Sequence, residues 1–207
     1  MRFPLRLGLI IGLLMLSPLT SEASSTCFSL TTDPPPHVDM ARVRTNWLAL
    51  NNRLRKRLKL QPYVLNDYLN ETAMNWSAFA VKRGTIDHKR TPGSPYYDYP
   101  AIERWFADKG LEFANVQGKT FTENIGWGTY SCTSGDCTAK LIAAMRSTYN
   151  FFLAEKQTNG PHYRSLANNA FSEIGLGIAI SPMQGRYYLT VHYGTKITND
   201  PLAICND

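Results

Sequence analysis

The chain has four histidines, and one of them, His162, stands in the segment NGPHYRSL at residues 159–166. An imidazole directly after a Gly-Pro turn can serve as a metal ligand, as a general base or as an ordinary helix-start residue. Two neutral imidazoles joined by a carboxylate would suit Zn²⁺, and fewer than four protein ligands would leave a position for water that the ion could activate for hydrolysis. The same groups hydrogen-bonded to one carboxylate need no metal. Spacing along the chain does not decide between these. His88 and His162 are 74 positions apart, His37 sits in a proline-rich lead, and His192 alternates within a strand and could face either side. A serine nucleophile is no better specified. No Gly-x-Ser-x-Gly elbow occurs, and although Ser147 and Ser165 could sit near His162, nothing supplies base, orienting acid and oxyanion hole together.

Two other groups of residues carry chemistry. The four cysteines read as disulfides in an exported chain, because no CxxC pair offers a zinc site. Cys132 and Cys137 in CTSGDC are close enough to staple one loop, and Cys27 with Cys205 would tie the two ends; this is the simplest of three possible pairings. The aromatic stretch YYDYPAIERWF, from Tyr96 to Phe106, reads first as a loop and short helix packed on the core. Its alternative is an apolar groove for a sterol or fatty acid, with Tyr96, Tyr97, Tyr99 and Trp105 as the contacting side chains.

These residues need a frame. Residues 1–23 form a secretory leader: Arg2 and Arg6, the apolar run Leu7 to Leu16, and small residues up to a cleavage point after Ala23. That run is too short to span a bilayer, and no later segment is longer, so the expected product is a secreted monomer without a transmembrane segment, extracellular or periplasmic. Residues 24–37 are a lead, and 38–207 one domain. The formal net charge of +6 is concentrated in RLRKRLK, Arg53 to Lys59. Trp47, Leu50, Leu54 and Leu58 fall at helical spacing, so the basic residues between them read as a solvated face rather than a nucleic-acid surface. Further helices are expected from Asn66 or Asp67 to Gly84, from Pro100 to Lys109, and from Thr138 to Ala154. The period then switches. EIGLGIAI and RYYLTVHYG form a hairpin across SPMQG, and another strand includes Glu123 to Trp127. Helices followed by a small antiparallel sheet imply an α+β layered domain. Two Asn-x-Ser/Thr sites, at Asn70 and Asn75, fall inside the second helix, where chance occurrence is the simpler account.

Several blocks in order resemble the CAP superfamily of cysteine-rich secretory, antigen 5 and pathogenesis-related proteins, in its bacterial form. They are Asn52 and Arg55 before the Leu60-x-Pro62 turn, a helix ending in Gly84 and His88, TENIGWG, PHYRSL, and FSEIGLGIAI followed by YYLTVHYG. The match runs over about residues 38–195. The resemblance implies a three-layer α-β-α sandwich with a central cleft ringed by two histidines and two acids. Residue by residue these are His88, His162 and Glu123, with the two histidines as the metal ligands in members that bind a divalent ion. The fourth position falls on Met145, so one acid is missing unless Glu103 or Glu155 replaces it in space.

Three readings follow. The favoured one is a secreted, non-enzymatic module with no catalytic residues, whose cleft binds Zn²⁺, a peptide or another extracellular protein. The second is a sterol or fatty-acid carrier. The third is a metal-assisted, peptidase-like hydrolase.

Overall fold

A computed structural model describes residues 36–91, 93, 98–108 and 110–199. The expected leader, Cys27, Cys205, Tyr96 and Tyr97 lie outside the described residues. Helix α1 spans Met40–Arg57, strand β1 Val64–Leu65, α2 Asp67–Arg83, α3 Tyr99–Ala107, β2 Phe121–Thr129, α4 Thr138–Ala154, α5 Pro161–Ala167, β3 Glu173–Ser181 and β4 Arg186–Gly194. The long helices and the β3–β4 hairpin lie where periodicity puts them. The two-residue β1 and the seven-residue α5 are too short to leave a periodic trace.

The helix ends obey local chemistry. Asp39 accepts from the Arg42 N–H at 3.0 Å to cap α1, and Asn66 accepts from the Leu69 N–H at 3.1 Å to cap α2. Helix α2 stops at Gly84, whose φ of 71° is the left-handed conformation glycine adopts without strain.

The sheet has the order β1-β3-β4-β2. Its three long strands are antiparallel, and β1 adds to β3 in parallel. Helix α2 covers one face and α1, α4 and α5 the other, giving three layers. Gly175 and Gly177 make the α2 contact possible: a Cβ on either would lie 2.1 Å from the carbonyl carbon of Leu69 or Ala73. Asn70, one of the Asn-x-Ser/Thr asparagines, is buried in this contact and accepts from the Leu176 N–H at 2.9 Å. On the opposite face Trp47, Leu141, Phe152, Leu176, Val191 and Tyr193 form the main core.

The basic run departs from expectation at one residue. Arg55 is buried, not solvated. Its guanidinium donates to the carbonyls of Gln61, Asn168 (2.8 Å) and Phe171 (3.0 Å) and lies 3.9 Å over the Tyr63 ring. Beside it the Asn52 amide donates to the Tyr63 carbonyl at 3.0 Å and accepts the Tyr63 N–H at 2.7 Å. The two residues clamp the chain as it turns from α1 into β1.

Cys132 and Cys137 form the expected short-loop disulfide. No described helix is long and apolar enough to cross a membrane.

Gly177→Ala forces backbone apart at the α2–β3 contact, and an overpacked core of this kind costs about 1–3 kcal/mol. Urea denaturation should show a lowered midpoint with an unchanged slope; an unaltered midpoint would show that the contact yields freely.

Candidate functional site

Strand alternation sorts the site residues. Glu123 pairs directly with His192 across the β2–β4 ladder, so both side chains point to the α2 face. They meet there: His192 Nε2 lies 2.8 Å from Glu123 Oε2, and the other ring nitrogen is 2.9 Å from the Thr72 hydroxyl on α2. His88 reaches the same carboxylate from the loop after α2, with Nδ1 at 2.8 Å from Oε1. Asp87 braces that loop. It takes the Lys89 N–H and the Arg83 guanidinium, both at 2.9 Å, while its carbonyl accepts the Trp76 indole N–H at 2.9 Å. Arg90 completes the cluster, 2.5 Å from Glu123 Oε2 and stacked 3.5 Å over the Trp76 ring.

Glu123, His88 and His192 are all buried. Burial alone would raise the Glu123 pKa, but the hydrogen bonds from His192 and His88 and the charge of Arg90 outweigh it and hold the carboxyl well below its usual range. Burial lowers the His192 pKa, and the pull of Glu123 offsets this only in part. A neutral His192 beside an ionised Glu123 donates from Nε2 and accepts the Thr72 hydroxyl at Nδ1.

The second imidazole is held differently. His162 follows Pro161 in the first turn of α5, and Glu155 accepts both its backbone N–H (2.8 Å) and its Nδ1–H (2.6 Å). One carboxylate therefore caps the helix and orients the ring. Gly160 gives it room, since a Cβ there would lie 2.5 Å from Glu155 Oε2. The imidazole also stacks on Phe152, with centroids 4.4 Å apart and planes 8° from parallel. The Asn124 amide donates to the His162 carbonyl at 3.2 Å, linking α5 to β2.

His88 and His162 line one cleft of about 580 Å³. Glu123 stands behind His88 rather than in the opening. Met145 lies in the core, and the acid that partners His162 is Glu155; Glu103 instead bonds Thr120. His192, which the sequence left undecided, belongs to the buried cluster. Cross-strand register with Glu123 is the signal that finds it. His37 stands apart, exposed beside Asp136. Tyr99 and Trp105 do not line this cleft, and both pack against a second apolar cluster around Phe106 and Phe121. Trp127 and Phe151 do line it, and they are 46% and 60% exposed although apolar. Spacing gave no signal for either, because each is singled out only by the cleft it faces.

The Cysteine-rich secretory protein family, CAP, matches residues 48–193. Among solved structures the chain is similar to an outer surface protein from Borrelia burgdorferi, at 18% identity and TM-score 0.54, covering 77% of this chain and 96% of that one. It is similar to the CAP domain of Enterococcal PrgA at 16% identity and TM-score 0.50, covering 77% of this chain and 64% of that one. An extracellular protein containing an SCP domain from Bacillus anthracis aligns at 15% identity and TM-score 0.49, over 74% of this chain and 40% of that one. The chain thus spans less than two thirds of the last two. No curated protein sequence matches it.

The buried cluster predicts a pH response. His192 is neutral in the fold, so stability falls as pH drops below about 6.5, where the unfolded imidazole takes a proton that the native one refuses. The Glu123 contribution is present above the ordinary carboxylate value of 4.5 and is lost as pH falls below it toward the depressed native value. Glu123→Gln leaves Arg90 without its anion, costs about 3 kcal/mol at neutral pH, and removes the lower step. Urea midpoints from pH 8 to 3 check this, and an unchanged low-pH limb in the variant contradicts it.

Proposed function

The chain belongs to the Cysteine-rich secretory protein (CAP) family, and on that premise we propose that it is an exported binding module whose cleft receives a peptide from a partner protein. The observation that carries this is the cleft's construction. His88 and His162 are each fixed from behind by a carboxylate, and the exposed Trp127 and Phe151 also line the opening. Fixed polar groups with large rigid aromatics are what a recognition surface needs, since little conformational freedom is lost on binding. The leader at residues 1–23 supports export.

Peptides selected from a random library against the full chain should shift the ring resonances of His88 and His162. Trp127→Ala and Phe151→Ala should each weaken them about tenfold, as loss of a buried aromatic anchor does. Selected peptides that perturb neither imidazole would overturn the reading.

A divalent ion is the second reading, favoured by the carboxylate at each Nδ1, which is how metal-bound histidines are oriented. The donor set falls short of a zinc site by itself. The carboxylates are spent on the rings, two imidazoles are one ligand fewer than catalytic zinc uses, and no group of three His, Cys, Asp or Glu able to hold an ion occurs among the described residues. An ion there would draw its remaining donors from water or the bound ligand. Titration calorimetry with Zn²⁺ should give weak binding that His88→Ala and His162→Ala each abolish; heat unchanged in both variants would exclude this site.

A further inference from the structure

We infer that the cleft is the open edge of the sheet and that its peptide binds by adding a strand to β2, with an apolar residue in the aromatic opening and an acidic residue beside Arg186. This rests on the peptide-binding reading above and names the mode of recognition.

The register supplies the first step. The Thr195 N–H donates to the Thr120 carbonyl and the Tyr130 N–H to the Gly185 carbonyl, both at 2.9 Å. Both even-numbered residues are directly opposite their partners in the β2–β4 register, so residues 120, 122, 124, 126, 128 and 130 turn their backbone groups toward β4. The odd-numbered residues turn theirs outward. β2 ends the strand order, so these outward groups face no strand among the described residues. Among the described residues nothing hydrogen-bonds to the outward N–H and C=O groups of Ile125, Trp127 or Thr129. Residues 125–129 all line the cleft. A row of three residues with unpaired donors and acceptors in a cleft is a template for an extended chain.

The second step is the walls. Cleft residues come from both faces of the sheet. His88 and Trp127 lie on the α2 side, while Ser147, Phe151 and His162 lie on the α4–α5 side. Successive side chains of an added strand would point alternately to the two sides, so each histidine meets every second ligand residue.

Charge complementarity sets the third. Glu123 and Glu155 are committed to imidazoles and Asp87 to Arg83 and Lys89, and Arg186 lies 4.3 Å over the Trp127 ring with no acidic partner among the described residues. The Arg186 register partner is Thr129, at the end of the edge. A ligand carboxylate at that end completes the pair.

The test uses the cleft-binding peptides selected on the full chain. Single backbone N-methylations are walked along one of them. Loss of roughly tenfold should recur at every second residue, with the intervening positions tolerant, since each removed strand hydrogen bond costs about that much. Thr129→Pro should weaken binding while Thr129→Ala does not, because only proline removes an outward N–H. Arg186→Ala should weaken acidic peptides about tenfold more than neutral ones. A peptide that binds the cleft with no two-residue period overturns strand addition and leaves the binding module standing. Failure of every peptide to reach the cleft overturns both. A concentration-dependent dimer by sedimentation that cleft peptides dissociate assigns the edge to a second copy and overturns the peptide as its occupant.

Discussion

The buried carboxylate of Glu123 is the constraint around which this domain is arranged. An ionised acid out of contact with water is stable only when its oxygens are fully engaged, and here His88, His192 and Arg90 engage them. Those three come from a loop, a central strand and the same loop again. One anion therefore fixes the chain after α2 against the sheet, and that chain is a wall of the cleft. Fold stability and site geometry share a single interaction, so the site cannot loosen without cost to the fold.

The two cleft histidines reach similar states by different means. His88 is held inside a charge cluster, whereas His162 is held by a helix cap and a flat stack on Phe152. In both, the carboxylate takes Nδ1, so the ring cannot turn. Rigid placement of this kind suits recognition, because a ligand meets surfaces that need no reorganisation.

The sequence made much of this legible. Long amphipathic helices and the Gly-turned hairpin announce themselves by period, and of the three residues the ordered blocks propose as one set, His88 and His162 line a single cleft while Glu123 stands behind His88. What it could not yield depends on three dimensions. The acid that bonds His162 stands ten residues past Met145, at Glu155 in the 3-10 turn after α4, because a short return into α5 brings that turn over the His162 backbone. Arg55 reads as one charge in a basic run. Only the folded chain shows that it gathers three carbonyls from distant loops. His192 needed the strand register, which one residue of slip would invert.

The two edges of the sheet are managed in opposite ways. At one, β1 is two residues long and its parallel pairing leaves little template for another chain. At the other, β2 is nine residues long and carries an exposed tryptophan beside its unpaired backbone, an arrangement that invites aggregation unless access is restricted. The restriction is the cleft itself. Ile86 and Phe151, from opposite sides of the sheet, line the same cleft as the edge residues, so a single extended chain would enter between side chains from both layers. An open edge that lies in a cleft, rather than capped or shortened, is the arrangement that the proposed strand addition would use.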